Sequence, residues 1–252
     1  MHNGSTAIAS CKGSTVLVVI PTYNEIENIE PLLRAIFDLN IGLHVLVVDD
    51  HSPDGTAQRV VALQQQYKAQ LHLLNRPRKE GIGNAYLAGF SWAFAYDYGY
   101  IFSFDGDFSH HPMDLLRLLA VAMAHQADLV IGSRYIHGGK VIGWTKGRIL
   151  LSYLANLLAR GITCMPIKDS TAGFVCYKCL LLKEIITKNV TSRGYSFQVE
   201  MKFLAYKKKA TLIEIPITFK NRVYGLSKLN CAIAWESFVD LLRMKWHSWL
   251  RK

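Results

Sequence analysis

Apolar runs alternate with amphipathic stretches along the first half of the chain. Thr15-Val16-Leu17-Val18-Val19-Ile20, closed by Pro21, is a continuous β-branched run, the pattern of a strand buried on both faces. Val45-Leu46-Val47-Val48, Leu71-His72-Leu73-Leu74, Ile101–Phe104 and Leu129-Val130-Ile131 repeat it. Between them, Glu25 to Leu39 sets Ile29, Leu32, Leu33 and Ile36 on one helical face. Helices are also predicted from Thr56, as N-cap, through Tyr67, over Gly83 to Tyr98, and over Pro112 to His125 with proline in the first turn. Strand–helix alternation predicts an α/β fold with a mostly parallel sheet flanked by helices.

The alternation loosens after residue 140. Arg148–Arg160 and Val199–Lys209 read as helices, Gly173–Tyr177 and Leu212–Ile217 as strands. Leu229–Leu250 reads as a long helix with Ile233, Phe238, Leu241, Leu242, Trp246 and Trp249 on its apolar side. The expected organisation is a flexible segment over 1–14, one domain over 15–228, and a C-terminal amphipathic helix over 229–252.

Ligands of open α/β sheets bind at the carboxyl ends of the strands. Three polar clusters fall there: Pro21-Thr22-Tyr23-Asn24-Glu25, Asp49-Asp50 and Asp105-Gly106-Asp107. The last is the sharpest signal. Two carboxylates one residue apart follow the apolar run Tyr100–Phe104, where like charges repel and burial is costly. A hard divalent cation with oxygen ligands resolves that conflict, although Asp-Gly is also a turn dipeptide. Such a pocket suits a nucleoside diphosphate, with the ion neutralising a departing diphosphate and Gly106 allowing close approach. Arg134, Arg222 and Lys228 are candidate phosphate-holding cations.

Charge and composition narrow the partners. The net charge is +10 over 252 residues, and residues 183–252 carry 14 Lys+Arg against 5 Asp+Glu. That basic end suggests an anionic partner: nucleic acid, a phospholipid surface or a phosphorylated ligand. No DNA- or RNA-binding motif accompanies it, so nucleic acid is not expected. The run Gly81-Ile82-Gly83-Asn84-Ala85 follows the third strand rather than the first, which argues against a dinucleotide-dependent dehydrogenase. No export signal and no membrane-spanning run is visible. The five Cys are scattered, and Cys176-Tyr177-Lys178-Cys179 reads as structural.

Taken in order, these motifs resemble the polyprenyl (dolichyl) phosphate mannose synthases, inverting glycosyltransferases of family 2 with a GT-A nucleotide-sugar fold. The resemblance rests on Pro21–Glu25, Val47–Asp50, Ser52–Thr56, Arg76 with Gly81–Ala85, and Asp105–Asp107. It continues through Gly132-Ser133-Arg134-Tyr135, Asp169 with Thr171–Phe174, Gln198-Val199-Glu200 and Arg222–Lys228. It implies that Pro21, Tyr23, Glu25, Val48 and Asp50 line a guanosine site. It further implies that Asp105, Gly106 and Asp107 meet the diphosphate and a Mg²⁺ or Mn²⁺ ion. Arg134, Arg222 and Lys228 would contact phosphates, with Asp107, Arg134, Arg222 and Lys228 the expected catalytic set. Gln198 and Glu200 would lie near the sugar or acceptor. Many relatives have a Gln ligand two residues after the second Asp; here Ser109 stands there, so it is the third candidate ligand.

The implied reaction moves mannose from GDP-mannose to the phosphate of a polyprenol, with another donor such as UDP-glucose as the alternative. A lipid acceptor without a membrane span calls for peripheral attachment to the cytoplasmic face of a membrane. The C-terminal helix is the candidate anchor, with Trp235, Trp246 and Trp249 beside Arg243, Lys245, Arg251 and Lys252; the alternative is that these tryptophans pack on the protein body.

Overall fold

The computed structural model describes residues 15–187, 190, 192, 194, 196–221, 240, 241, 243 and 245. Arg222, Lys228 and most of the expected helix over 229–252 lie outside them. Nine strands and seven helices are described: β1 Thr15–Thr22, α1 Ile26–Phe37, β2 His44–Asp49, α2 Thr56–Gln64, β3 Leu71–Asn75, α3 Ile82–Ala93, β4 Tyr98–Ser103 and α4 Met113–Ala124. They continue with β5 Leu129–Ser133, β6 Lys140–Ile142, α5 Lys146–Thr163, β7 Val175–Lys178, α6 Cys179–Ile186, α7 Ser196–Lys207, β8 Leu212–Pro216 and β9 Thr218–Lys220.

The main sheet runs β3-β2-β1-β4-β7-β5-β8, and β6 pairs with β9 beside it. Strands β1 to β4 are mutually parallel, as the apolar runs predict. The exception is β7, antiparallel to both β4 and β5. That reversal matters for the site. The chain entering β7 lies beside the carboxyl end of β4, where Ser103 Oγ donates to the Gly173 carbonyl at 2.6 Å.

Alternate residues of the strands feed two cores. Val16, Val18, Ile20, Val45 and Val47 pack with α1, α2 and α4. Leu17, Val19, Leu46 and Val48 pack with α3, and Ile101 and Leu129 join α6 and α7 on the same face. The result is a three-layer α/β/α sandwich. Helix α3 lies close against the sheet because Gly89 has no side chain: a Cβ there would stand 2.5 Å from Val19 and 3.0 Å from Val48.

Several boundaries differ from the sequence-based expectation. The helix predicted to Tyr98 ends at Ala93. Tyr98 is instead the first residue of β4, where its hydroxyl meets His44 Nδ1 at 2.9 Å. Thr56 is inside α2 rather than its cap; Gly55, at φ 91°, precedes the helix. Asp54, one residue before Gly55, accepts from Thr56 N at 3.0 Å and Thr56 Oγ1 at 2.6 Å. Cys176 and Cys179 are both buried and unpaired, a structural role.

Candidate active site at the carboxyl edge of the sheet

The loops after β2, β1 and β4 stand in a row, because Pro21 pairs with Val48 and Val19 with Ser103. Each loop carries a non-glycine residue in the left-handed region: Asn24 at φ 60°, His51 at φ 60° and Phe108 at φ 59°. For a bulky residue such as Phe108 this is a costly conformation, and such strain collects at functional loops. The first two loops are stitched together. Asn24 N donates to Ser52 Oγ at 3.0 Å, Glu25 N to Thr56 Oγ1 at 3.0 Å, and Ile26 N to Asp54 Oδ2 at 3.0 Å. Asp49 completes the seam by accepting from Thr22 Oγ1 at 2.9 Å and Ser52 N at 2.8 Å.

Asp50 has a different partner. Arg76, after β3, donates from Nη1 to Asp50 Oδ1 at 2.5 Å and from Nη2 to Glu80 Oε2 at 2.7 Å. Burial lifts the Asp50 carboxyl above its ordinary value even beside this cation. Nearby in the chain, Lys79 places its ammonium 3.9 Å from the centre of the Tyr23 ring. Glu25 accepts from Asn28 Nδ2 at 2.8 Å at the start of α1. Val48 is fully buried, and its side chain belongs to the core under α3.

Asp105 is held from two sides. Tyr86, fully buried on α3, donates its hydroxyl to Asp105 Oδ1 at 3.1 Å. His110 Nε2 lies 3.3 Å from Asp105 Oδ2. Burial raises the Tyr86 pKa well above its ordinary value, and the Asp105 charge adds to that, so Tyr86 stays a donor. Tyr86 is itself stacked on Phe197 of α7, at 6.0 Å and 4°. Asp107 Oδ1 accepts from Ser109 N at 3.1 Å, closing a tight turn over Phe108. Gly106 sits where a Cβ would be 3.3 Å from the Pro21 carbonyl, so an alanine needs a shift of only tenths of an ångström.

Beside this turn lies a buried ion pair. Arg134, after β5, donates from its backbone N and Nε to Asp169 Oδ2, both at 2.8 Å, and from Nη2 to Asp169 Oδ1 at 2.7 Å. Nη2 also reaches Thr171 Oγ1 at 2.8 Å. The residue expected to grip phosphate is therefore largely committed within the protein; among the described residues Nη1 is left without an acceptor. Burial pushes the Asp169 carboxyl up, and the Arg134 guanidinium more than offsets it, leaving the pKa below the ordinary value. Asn156 of α5 fixes the same loop, accepting from Ser170 Oγ and Thr171 N, both at 3.0 Å.

From α7, Lys202 is fully buried and donates to the Ala172 carbonyl at 2.7 Å and the Gln198 carbonyl at 3.1 Å. Burial lowers its pKa to about 7, with Asp169 opposing the drop. Gln198 keeps a buried Oε1 with no hydrogen-bond partner among the described residues. Glu200 accepts from Ser192 N at 2.8 Å.

Asp105, Gly106, Asp107 and Pro21 thus meet at one edge, while Tyr23, Glu25 and Asp50 occupy the adjoining loops. Sequence reasoning did not single out Tyr86, His110 or Lys202, whose partners are distant in the chain, and gave Arg76 no role. Among the described residues no three His, Cys, Asp or Glu side chains converge as a metal cage. Two carboxylates on one turn suit a cation that keeps waters and takes further oxygens from a phosphate ligand. Ser109 adds an orphaned oxygen: the residue is buried and its Oγ has no hydrogen-bond partner among the described residues. The donor set therefore suits a hard divalent cation that completes its shell with water and ligand oxygens.

The family model described as Glycosyl transferase family 2 matches residues 17–190. The chain is 41% identical over 214 residues to the polyprenol monophosphomannose synthase of Mycolicibacterium smegmatis, covering 85% of this chain and 80% of that protein. It is 39% identical over 228 residues to the undecaprenyl-phosphate mannosyltransferase of Micrococcus luteus, covering 90% and 93%. Its fold is shared with glucosyl-3-phosphoglycerate synthase from Mycobacterium tuberculosis, solved with Mn²⁺, uridine diphosphate and glucosyl-3-phosphoglycerate. That likeness has a TM-score of 0.71 at 20% identity and covers 96% of this chain and 84% of the other. The architecture is GT-A, as expected.

Proposed function

The chain belongs to glycosyl transferase family 2 and is a glycosyltransferase; from that premise we propose that it transfers mannose from GDP-mannose to a polyprenyl phosphate, with inversion, releasing GDP. The two mannosyl-transferring relatives support the sugar and the acceptor class. The observation that carries the reading is the Asp105-Gly106-Asp107 turn at the carboxyl end of β4, with Asp105 oriented by Tyr86 and His110.

In this reading the diphosphate of the donor sits over that turn. A bound Mg²⁺ or Mn²⁺ would supply positive charge to the departing GDP. Asp105, Asp107 and Ser109 are the residues to hold it. Tyr86 and His110 keep the Asp105 carboxylate from rotating away, so little reorganisation is needed as charge develops. Asp50, Tyr23, Glu25, Pro21 and the Val48 backbone face the nucleoside, with Arg76 and Lys79 fixing two of them. Arg134 uses its remaining Nη1 toward a phosphate oxygen, positioned by Asp169. Arg222 and Lys228 keep the phosphate contact the family resemblance implies. Gln198 offers its Oε1, without a partner among the described residues, to a sugar or acceptor hydroxyl, and Glu200 supports the adjacent loop.

The nucleophile is a phosphate monoester, whose second pKa is about 6 and which is therefore anionic near neutral pH. It needs alignment more than a general base, so no buried base has to be found. A lipid acceptor calls for a membrane surface, and in this reading that surface is the cytoplasmic face. A donor panel of GDP-mannose, UDP-glucose and other labelled sugar nucleotides, with a short polyprenyl phosphate, tests the reading. GDP-mannose should be the preferred donor and the product β-linked. A preference for UDP-glucose would replace mannose as the transferred sugar.

A further inference from the structure

Helix α5 is unlike the other helices. Of its 18 residues, only Asn156, Ala159 and Thr163 are buried. On the far side Leu150, Leu151, Tyr153, Leu154, Leu157 and Leu158 are each between 44% and 58% exposed. At about 100° per residue, the buried trio centres on one direction and the exposed six spread over roughly 160° around the opposite one. A solvent-facing helix normally turns its polar side outward. This one rests on the protein by a narrow polar and small-residue strip and offers leucines to its surroundings.

The charge along this stretch of chain is one-sided. From Leu129 through Lys168 there is no Asp or Glu, while Arg134, Lys140, Lys146, Arg148, Arg160 and Lys168 are present. Lys146 lies in the first turn of α5 and Arg160 in its last, at the two ends of the leucine face. Arg148 lies over Trp144, 4.1 Å from the ring centre, and Ile142, two residues before Trp144, is exposed. Leucines framed by cations and an aromatic residue match an anionic bilayer interface, with the apolar side in the acyl boundary and cations at the headgroups. The helix does not cross: no described helix is long and apolar enough.

We infer that α5 lies in the surface of an anionic membrane, leucines inward, and delivers the active site to its lipid acceptor. The inference rests on the proposed lipid phosphate acceptor and says where that acceptor is met. The link to the site is direct. The buried side of α5 carries Asn156, which holds Ser170 and Thr171, and Thr171 Oγ1 accepts from Arg134. One helix therefore has the bilayer on one side and the Arg134–Asp169 loop on the other. The anchor expected from sequence, 229–252, lies mostly outside the described residues, so the two are separated by experiment.

The test is flotation of the full chain with vesicles of phosphatidylcholine alone or mixed with phosphatidylglycerol, comparing wild type with Leu150→Ser/Leu154→Ser/Leu157→Ser. These side chains are exposed, so the variant should keep the wild-type melting temperature. Wild type should float with the anionic vesicles and lose binding as salt rises. The triple variant should bind at least about tenfold more weakly. Transfer to a long polyprenyl phosphate in vesicles should fall in parallel, while transfer to a short, water-soluble polyprenyl phosphate stays at the wild-type rate.

Flotation of the triple variant equal to wild type would overturn the inference and point to 229–252. A wild type that ignores vesicles but is a dimer, made monomeric by the triple change, would also overturn it, with a second copy as the occupant. Leucine-dependent flotation by a wild type that transfers to no polyprenyl phosphate would support the surface and remove the proposed function instead.

Discussion

Replacing Asp169 by Asn tests whether Arg134 is chiefly held by the protein or free to act as a phosphate ligand. Asn keeps the volume and one acceptor oxygen but removes the charge. Arg134 would then lose its bidentate partner at a place where the Asp169 side chain is 0% and the Arg134 side chain 9% exposed. At such burial, solvent screening offers no relief, and removing one partner of a buried pair costs about 3–5 kcal/mol. With a urea m-value of about 3 kcal/mol/M, the unfolding midpoint should fall by roughly 1–1.7 M. Arg134→Met alone should also destabilise, since it leaves Asp169 with Lys202 as its nearest cation. The double variant Arg134→Met/Asp169→Asn should be less unstable than the sum of the singles by about 2 kcal/mol, the coupling expected of contacting residues. Urea unfolding followed by tryptophan fluorescence measures all four species. Additive effects would refute the pairing and return Arg134 to a purely ligand-binding role.

Tyr86→Phe should leave the fold intact and lower kcat about ten- to a hundredfold, because a hydrogen bond to a charged group is worth about 1.5–3 kcal/mol; an unchanged kcat would show that His110 alone orients Asp105. Lys202 has a folded pKa of about 7, below its ordinary 10.5, so its contribution to stability is complete above 10.5 and is lost as pH falls through 7. The wild type should therefore gain stability from pH 7 to 10 relative to Lys202→Met, and parallel urea profiles for the two would contradict this. Gly89→Val should cost about 1–3 kcal/mol by pushing α3 off β1; a melting temperature equal to wild type would mean the close approach is not tight.

Strands β1 to β5 and the first four helices were legible because a strand buried on both faces must be a continuous apolar run, and Ile29, Leu32, Leu33 and Ile36 repeat at helical spacing; the short, exposed β6 and β9 have no such run and were missed. The direction of β7 was not, since Val175–Lys178 reads alike in either orientation. Only its pairing with β4 and β5 shows it to be antiparallel. Helix α6 was hidden because Cys179 continues the apolar run of β7 without a breaker. In the site, Asp105 and Asp107 announced themselves as paired charges after an apolar strand. Tyr86 did not, because a buried tyrosine on an apolar helix face looks like core until Asp105 is seen 3.1 Å away. Lys202 likewise reads as one more cation of the basic C-terminal stretch, although it is fully buried under Ala172.

The central claim is that Asp105 and Asp107 hold a divalent cation against a nucleoside diphosphate. Calorimetric titration of GDP into the full chain, with Mn²⁺ and then with EDTA, tests it most directly. The account predicts that Mn²⁺ tightens GDP binding by about tenfold or more, and that Asp107→Asn abolishes this gain at an unchanged melting temperature. Equal GDP affinity with and without the metal, in wild type and variant alike, would contradict it.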